Sequence, residues 1–131
     1  MKEHPDRGYK VLTPIRQLAT ASLAVRFHHE MIDGLGYPLG LRNGDIPLIA
    51  RIIAVADTYD ALTSTRSYRP SRSADQAFSV IHSVRGSQLD AGVVDVLATL
   101  MPFIREHEVM LKVGFPEPEG ETEEEREARA A

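Results

Sequence analysis

Three residues in this sequence stand out as able to do chemistry: His28, His29 and Asp57. Asp57 follows the apolar run Ile52-Ile53-Ala54-Val55-Ala56. An ionised carboxylate in such a setting is costly unless it meets a charge-assisted partner or a metal ion. Asp60 lies at i+3 on a similar face. Arg51, six residues upstream, offers an internal ion pair, and backbone amides are another way to satisfy the carboxylate. His28 and His29 close a predicted helix of small and apolar residues. Adjacent side chains on a helix diverge by about 100°. The two imidazoles are therefore expected to serve different ligands: two metals, or a metal and a phosphate. Two surface histidines favoured by the helix dipole are the plain alternative.

The segment after the histidines, MIDGLGYPLGLRNGDI, has glycines at 34, 36, 40 and 44. An irregular stretch of this length inside a small domain is usually functional or disordered. Leu35, Tyr37, Leu39, Leu41 and Ile46 argue against disorder. The glycines allow the backbone to approach a ligand closely. Gly36-Tyr37-Pro38 offers a stiff aromatic platform on which a purine base can stack. A connector with a buried tyrosine would look the same. Further on, Arg66 and Arg69 flank Tyr68. Arginine holds phosphate oxygens through paired hydrogen bonds.

Helices must position these groups. Thr13-Pro14 reads as a cap followed by proline at the first helical position, opening a helix to about residue 30. A second helix is expected over 47–63. It is apolar nearly all round, which predicts burial on most sides, Asp57 included. A third runs over about 74–84, stopped by Gly86. A fourth starts after Asp90 and runs to about 111, with Pro102 expected to kink or split it. No convincing alternating strand is present, so the fold class is all-α.

Composition narrows the function. The chain has 131 residues, 43% hydrophobic and 26% charged, which suits one soluble domain. Without cysteine there are no disulfides, thiolate metal sites or cysteine nucleophiles. The N-terminus is not a signal peptide and no apolar run spans a membrane, so a cytoplasmic location is expected. Seven glutamates between Glu117 and Glu127 dominate the net charge of −4. Residues 1–115 carry 13 Lys/Arg against 12 Asp/Glu, which is no footprint for DNA. Residues 113–131 are expected to form an acidic, disordered tail after a domain at 1–112.

The run HHEMIDGLGYPLGLRNGDIPLIARIIAVADTYDALTSTRSYRP resembles the signature of HD-GYP domains, members of the HD phosphohydrolase superfamily. EHPDRGYKVL is similar to that family's HPxxG segment, and GSQLDAGVVDVL to the segment that follows the signature. The resemblance implies a helical bundle that hydrolyses cyclic di-GMP to pGpG or GMP with two or three divalent ions, commonly iron or manganese. It implies metal ligation by His4, His28, His29 and Asp57. It implies substrate contacts from Gly36, Tyr37, Pro38, Arg66 and Arg69, and supporting roles for Asp33, Arg51 and Asp60. Histidine and carboxylate ligands without thiolate suit iron or manganese.

One departure is plain. No His-Asp dipeptide, the family's name-giving doublet, occurs in the sequence. The helices that precede the HPxxG segment in the family have no counterpart here. The chain is thus expected to be the C-terminal part of an HD-GYP domain, with an incomplete metal site and uncovered apolar surface that promotes self-association. It would act with a missing N-terminal HD segment. The alternative is a non-catalytic binding module for cyclic di-GMP or for a diguanylate cyclase domain.

Overall fold

A computed structural model describes residues 3–65 and 70–108. Five α-helices follow in order: α1 (His4–Leu12), α2 (Ala19–Phe27), α3 (Leu48–Thr63), α4 (Ala74–Ser83) and α5 (Ala91–Glu106). No strand occurs among the described residues, so the all-α expectation holds. The expected tail at 113–131 and the arginines at 66 and 69 lie outside the described residues.

The first helix differs from the reading of the sequence. Pro5 sits in the first turn of α1, a position where its missing N–H costs nothing. Thr13 ends that helix rather than opening the next, and its hydroxyl donates to the Tyr9 carbonyl at 2.7 Å. Pro14 prevents continuation, and a 3-10 turn at Arg16–Leu18 leads into α2. The helix expected over 14–30 is thus shorter, α2 at Ala19–Phe27 after the 3-10 turn, and α1 before it is a helix not expected from the sequence; the chain turns back between the two. Gly8 permits the close packing of α1 on α2, since a Cβ there would lie 2.5 Å from Val25 Cγ1. Asp6 pairs with Arg26 at 3.0 Å, and the Arg26 guanidinium stacks over Tyr9. These contacts bring His4 back to the end of α2.

The remaining elements follow the sequence more closely. Ser73 caps α4 in a reciprocal box with Gln76. Asp90 caps α5 by accepting the Val93 N–H at 3.0 Å. Gly86 adopts a φ of +78° in the turn between them. Helix α5 runs unbroken through Pro102. One core cluster, including Val55, Leu62, Ile81 and Val94, joins α3, α4 and α5. A second, made of Phe27, Ile46 and Ala50, lies under the glycine loop.

Helix α3 is not buried on most sides. Its described neighbours α2, α4 and α5 cover one side. Ala50, Val55 and Leu62 are buried, whereas Leu48, Ile52, Ile53 and Asp57 are exposed. Together α3 and α5 frame an apolar groove of about 580 Å³ whose walls include Leu48, Ile52, Val96 and Leu100. Open apolar surface of this kind favours association. The weight-average mass in sedimentation is expected to rise with concentration, and Ile52→Glu with Leu100→Glu should suppress that rise. A single monomer at high concentration would contradict it.

Candidate metal centre

Helix α2 ends at Phe27, so His28 is its C-terminal cap and His29 already lies in the turn. That early end changes the geometry expected of a continuing helix. The two rings converge, with centroids 3.9 Å apart, instead of diverging. His4, at the start of α1, completes the group: its Nε2 lies 3.1 Å from His29 Nε2. One coordinating nitrogen from each histidine can be chosen so that all lie within 4.8 Å of one another. His28 Nδ1 donates to the Val25 carbonyl at 2.8 Å, which leaves Nε2 as its lone-pair nitrogen. A ring anchored through one nitrogen and offering the other is the usual arrangement of a metal-binding histidine.

Asp57 stands beside the group on α3, but its carboxylate is not among the ligand atoms that lie within 4.8 Å of one another. It lines a cleft of about 120 Å³ together with His28, His29, Tyr37 and Thr58. Asp57 is exposed in this cleft and does not pair with Arg51. Arg51 instead binds Asp90 at 2.7 Å, pinning α3 to the start of α5. Asp60 accepts the Ser64 hydroxyl at 3.0 Å at the end of α3. Asp33 accepts the Leu35 N–H at 2.9 Å, a turn inside the loop. None of Asp33, Arg51 and Asp60 lines the cleft.

The loop is ordered by its own backbone. The amides of Ile32 and Asp33 donate to the carbonyls of Gln88 and Ser87. Tyr37 N donates to the His29 carbonyl at 3.1 Å, and the Tyr37 ring stacks on His29 with centroids 4.8 Å apart. Gly36 is required by space: a Cβ there would meet Met31 N at 2.3 Å and the His29 carbonyl at 2.5 Å. The Tyr37–Pro38 peptide bond is cis.

Reasoning from the sequence gave Glu30 no role, although it stands beside both histidines. It is buried, 4% exposed, and its two carboxylate oxygens accept the amides of Leu39 and Leu41 at 2.7 and 2.9 Å. The signal was the position itself: a carboxylate next to a loop rich in unpaired backbone amides.

Electrostatics favour neutral imidazole. Partial burial and the neighbouring His28 and His4 hold the His29 pKa below its usual value, with Asp57 pulling the other way. The folded chain then binds fewer protons than the unfolded chain near pH 6. The contribution of His29 to stability is present above the unfolded pKa of about 6.5 and lost as pH falls through the lower folded value. An NMR titration should place the His29 midpoint below 6.5, and Asp57→Asn should lower it further. A midpoint at or above 6.5 would contradict this account.

The donor set fits a divalent ion. With metal–nitrogen bonds of about 2.1 Å, two ligands on one ion lie about 3.0–3.4 Å apart, which matches the His4–His29 spacing. The cleft of about 120 Å³ accommodates ions and water, and a nucleotide would have to lie across its open rim at Tyr37.

Comparison with known proteins places this arrangement in a family. The HD domain family model matches residues 1–93, and the chain belongs to that family. The resemblance seen in the motif run holds at that level. Among curated relatives, a probable cyclic di-GMP phosphodiesterase of Vibrio cholerae is 52% identical over 103 residues, 72% of this chain and 23% of its own length. The cyclic di-GMP phosphodiesterase response regulator RpfG of Xanthomonas campestris is 43% identical over 99 residues, covering 74% and 26%. A 3'3'-cGAMP-specific phosphodiesterase of Vibrio cholerae is 46% identical over 71 residues, covering 53% and 16%. The chain thus spans about a quarter or less of the length of these relatives.

Proposed function

We propose that this chain forms part of a metal-dependent phosphodiesterase acting on cyclic di-GMP and yielding pGpG or GMP. The cluster of His4, His28 and His29, next to a cleft that His28 and His29 share with Asp57 and Tyr37, carries this reading. His4, His28 and His29 supply nitrogen ligands, and Asp57 supplies negative charge beside His28 and His29. Iron or manganese suits such ligands. When bound, divalent ions neutralise a phosphodiester and make water a stronger nucleophile near neutral pH. Tyr37, braced on His29, presents the outer face of its ring to a guanine base. Arg66 and Arg69 are assigned to the phosphates by their place in the motif. No described helix is long and apolar enough to cross a membrane, and we place the protein in the cytoplasm.

Four ligands fall short of a two-metal site, and this favours a second reading: a binding module that senses cyclic di-GMP or docks on a diguanylate cyclase domain. Calorimetric titration with cyclic di-GMP in the presence of Mn²⁺, followed by chromatography for pGpG, separates the two. Binding is expected, with negligible turnover by residues 1–131. Turnover should appear when a segment bearing a His-Asp doublet is supplied. Binding that never leads to turnover would favour the module, and no binding would contradict both. Arg66→Ala with Arg69→Ala should weaken binding by at least about tenfold, since each charged hydrogen bond contributes roughly 1.5–3 kcal/mol.

A further inference from the structure

We infer that Glu30 is a positioning residue that locks the loop at 31–46, so that Tyr37 is held against His29 at the rim of the histidine cluster. The inference rests on the proposed nucleotide reading only for the consequence of that placement. The placement itself stands on the contacts. Glu30 is buried, and among the described residues its carboxylate pairs with no cation; it accepts the amides of Leu39 and Leu41. These amides flank Gly40, whose φ of +67° reverses the loop. Between the anchors at Tyr37 N and Asn43 N, the two bonds to Glu30 tie the loop back to the residue that follows His29. The tyrosine and the carboxylate thus grip one segment from both ends, and the same turn carries the histidine on which the ring stacks.

The chemistry of the carboxylate matters. An ionised glutamate presents acceptors only, so both amides can be met at once. Glutamine turns one acceptor into an NH₂ donor facing an N–H. Aspartate is one methylene too short to reach both. Loss of the clamp frees residues 38–42 and with them the orientation of Tyr37. His28 and His4 are held separately, by the Val25 carbonyl and by the packing of α1 on α2, and His29 keeps its contact with His4, so metal affinity should respond far less than nucleotide affinity.

Three readouts test this on residues 1–131. In the wild-type chain the Leu39 and Leu41 amides should be protected from hydrogen exchange, although both belong to an irregular loop. Exchange of both at free-peptide rates would overturn the inference without any variant. In Glu30→Gln the ring-current shift of the His29 ring protons should move to the value seen in Tyr37→Ala. Retention of the wild-type shift in folded Glu30→Gln would overturn it as well. Finally, Glu30→Gln should weaken cyclic di-GMP binding by about tenfold, an effect of the size expected for one lost stacking contact, with Mn²⁺ affinity changed less than about threefold. Equal loss of metal and nucleotide affinity would reduce Glu30 to a general structural role and overturn the inference. If the wild-type chain binds no cyclic di-GMP, the nucleotide reading fails, while amide protection and the His29 shift still decide the role of Glu30.

Discussion

Replacing His29 by alanine should abolish retention of a divalent metal, weakening affinity by at least about a hundredfold. Loss of a supporting group alone costs roughly 10–100-fold at metal sites, and His29 is the nitrogen donor at the centre of this one. Its Nε2 lies 3.1 Å from His4 Nε2, its ring lies 3.9 Å from that of His28, and Asp57 acts on it electrostatically. Two histidines and an exposed carboxylate remain in the variant, with water filling the other positions. The side chain is only half-buried, so the fold should survive with a stability change of about 1 kcal/mol or less. His107, which stacks on Phe103 at the end of α5, is the control. His107→Ala should leave metal affinity unchanged. Comparable loss in both variants would show general histidine binding rather than a centre. Because coordination requires neutral imidazole, metal affinity should also fall as pH drops below the His29 pKa.

Asp90→Ala should cost about 2–4 kcal/mol of stability, read from the urea midpoint. The side chain does two jobs at once. One oxygen accepts the Val93 N–H as the cap of α5, and caps of this kind contribute about 1 kcal/mol. The other accepts Arg51 Nη1 at 2.7 Å between side chains only 17% and 23% exposed. Removing the carboxylate leaves a largely buried guanidinium without its counter-ion, and breaking a buried pair costs about 3–5 kcal/mol where burial is complete. Among the described residues Arg51 Nε is already buried without a partner, so the guanidinium has little to fall back on. The double variant with Arg51→Ala should lose less than the sum of the single losses. Burial pushes the Asp90 carboxyl up, but the Val93 amide and Arg51 together outweigh it and hold the pKa below the usual range. The stabilisation is therefore present above the unfolded carboxylate pKa and disappears as pH falls through the lower folded value. A variant as stable as wild type would show that α3 and α5 are joined by apolar contact alone.

The parts of this fold legible in the sequence are those set by local signals. The start of α5 at Asp90, the stop at Gly86 and the span of α3 follow from residue types a few positions apart. The existence of α1 did not, because Thr13-Pro14 has the chemistry of both an ending and a beginning, and its reading as a beginning alone leaves α1 out. Only the packing of Gly8 on Val25 and the Asp6–Arg26 pair decide for an ending. Apolar pattern overstated the burial of α3, since a pattern states what a face requires and not whether a neighbour covers it. At the site, residue types pointed to His28, His29 and Asp57, while the convergence of the two rings depended on α2 ending one turn early. Arg51 choosing Asp90 over Asp57, and Glu30 clamping the loop, are contacts across 39 and 9–11 residues that no local spacing encodes.

The central proposal is that His4, His28 and His29, with Asp57 beside them, hold a metal ion, and counting metal on the chain tests it most directly. Purified protein loaded with Mn²⁺ and dialysed against metal-free buffer at neutral pH should hold about one ion per chain, as four protein ligands suit a single ion. The count should drop to background in His29→Ala. No retained metal in the wild-type chain, or two ions held stoichiometrically, would contradict the account.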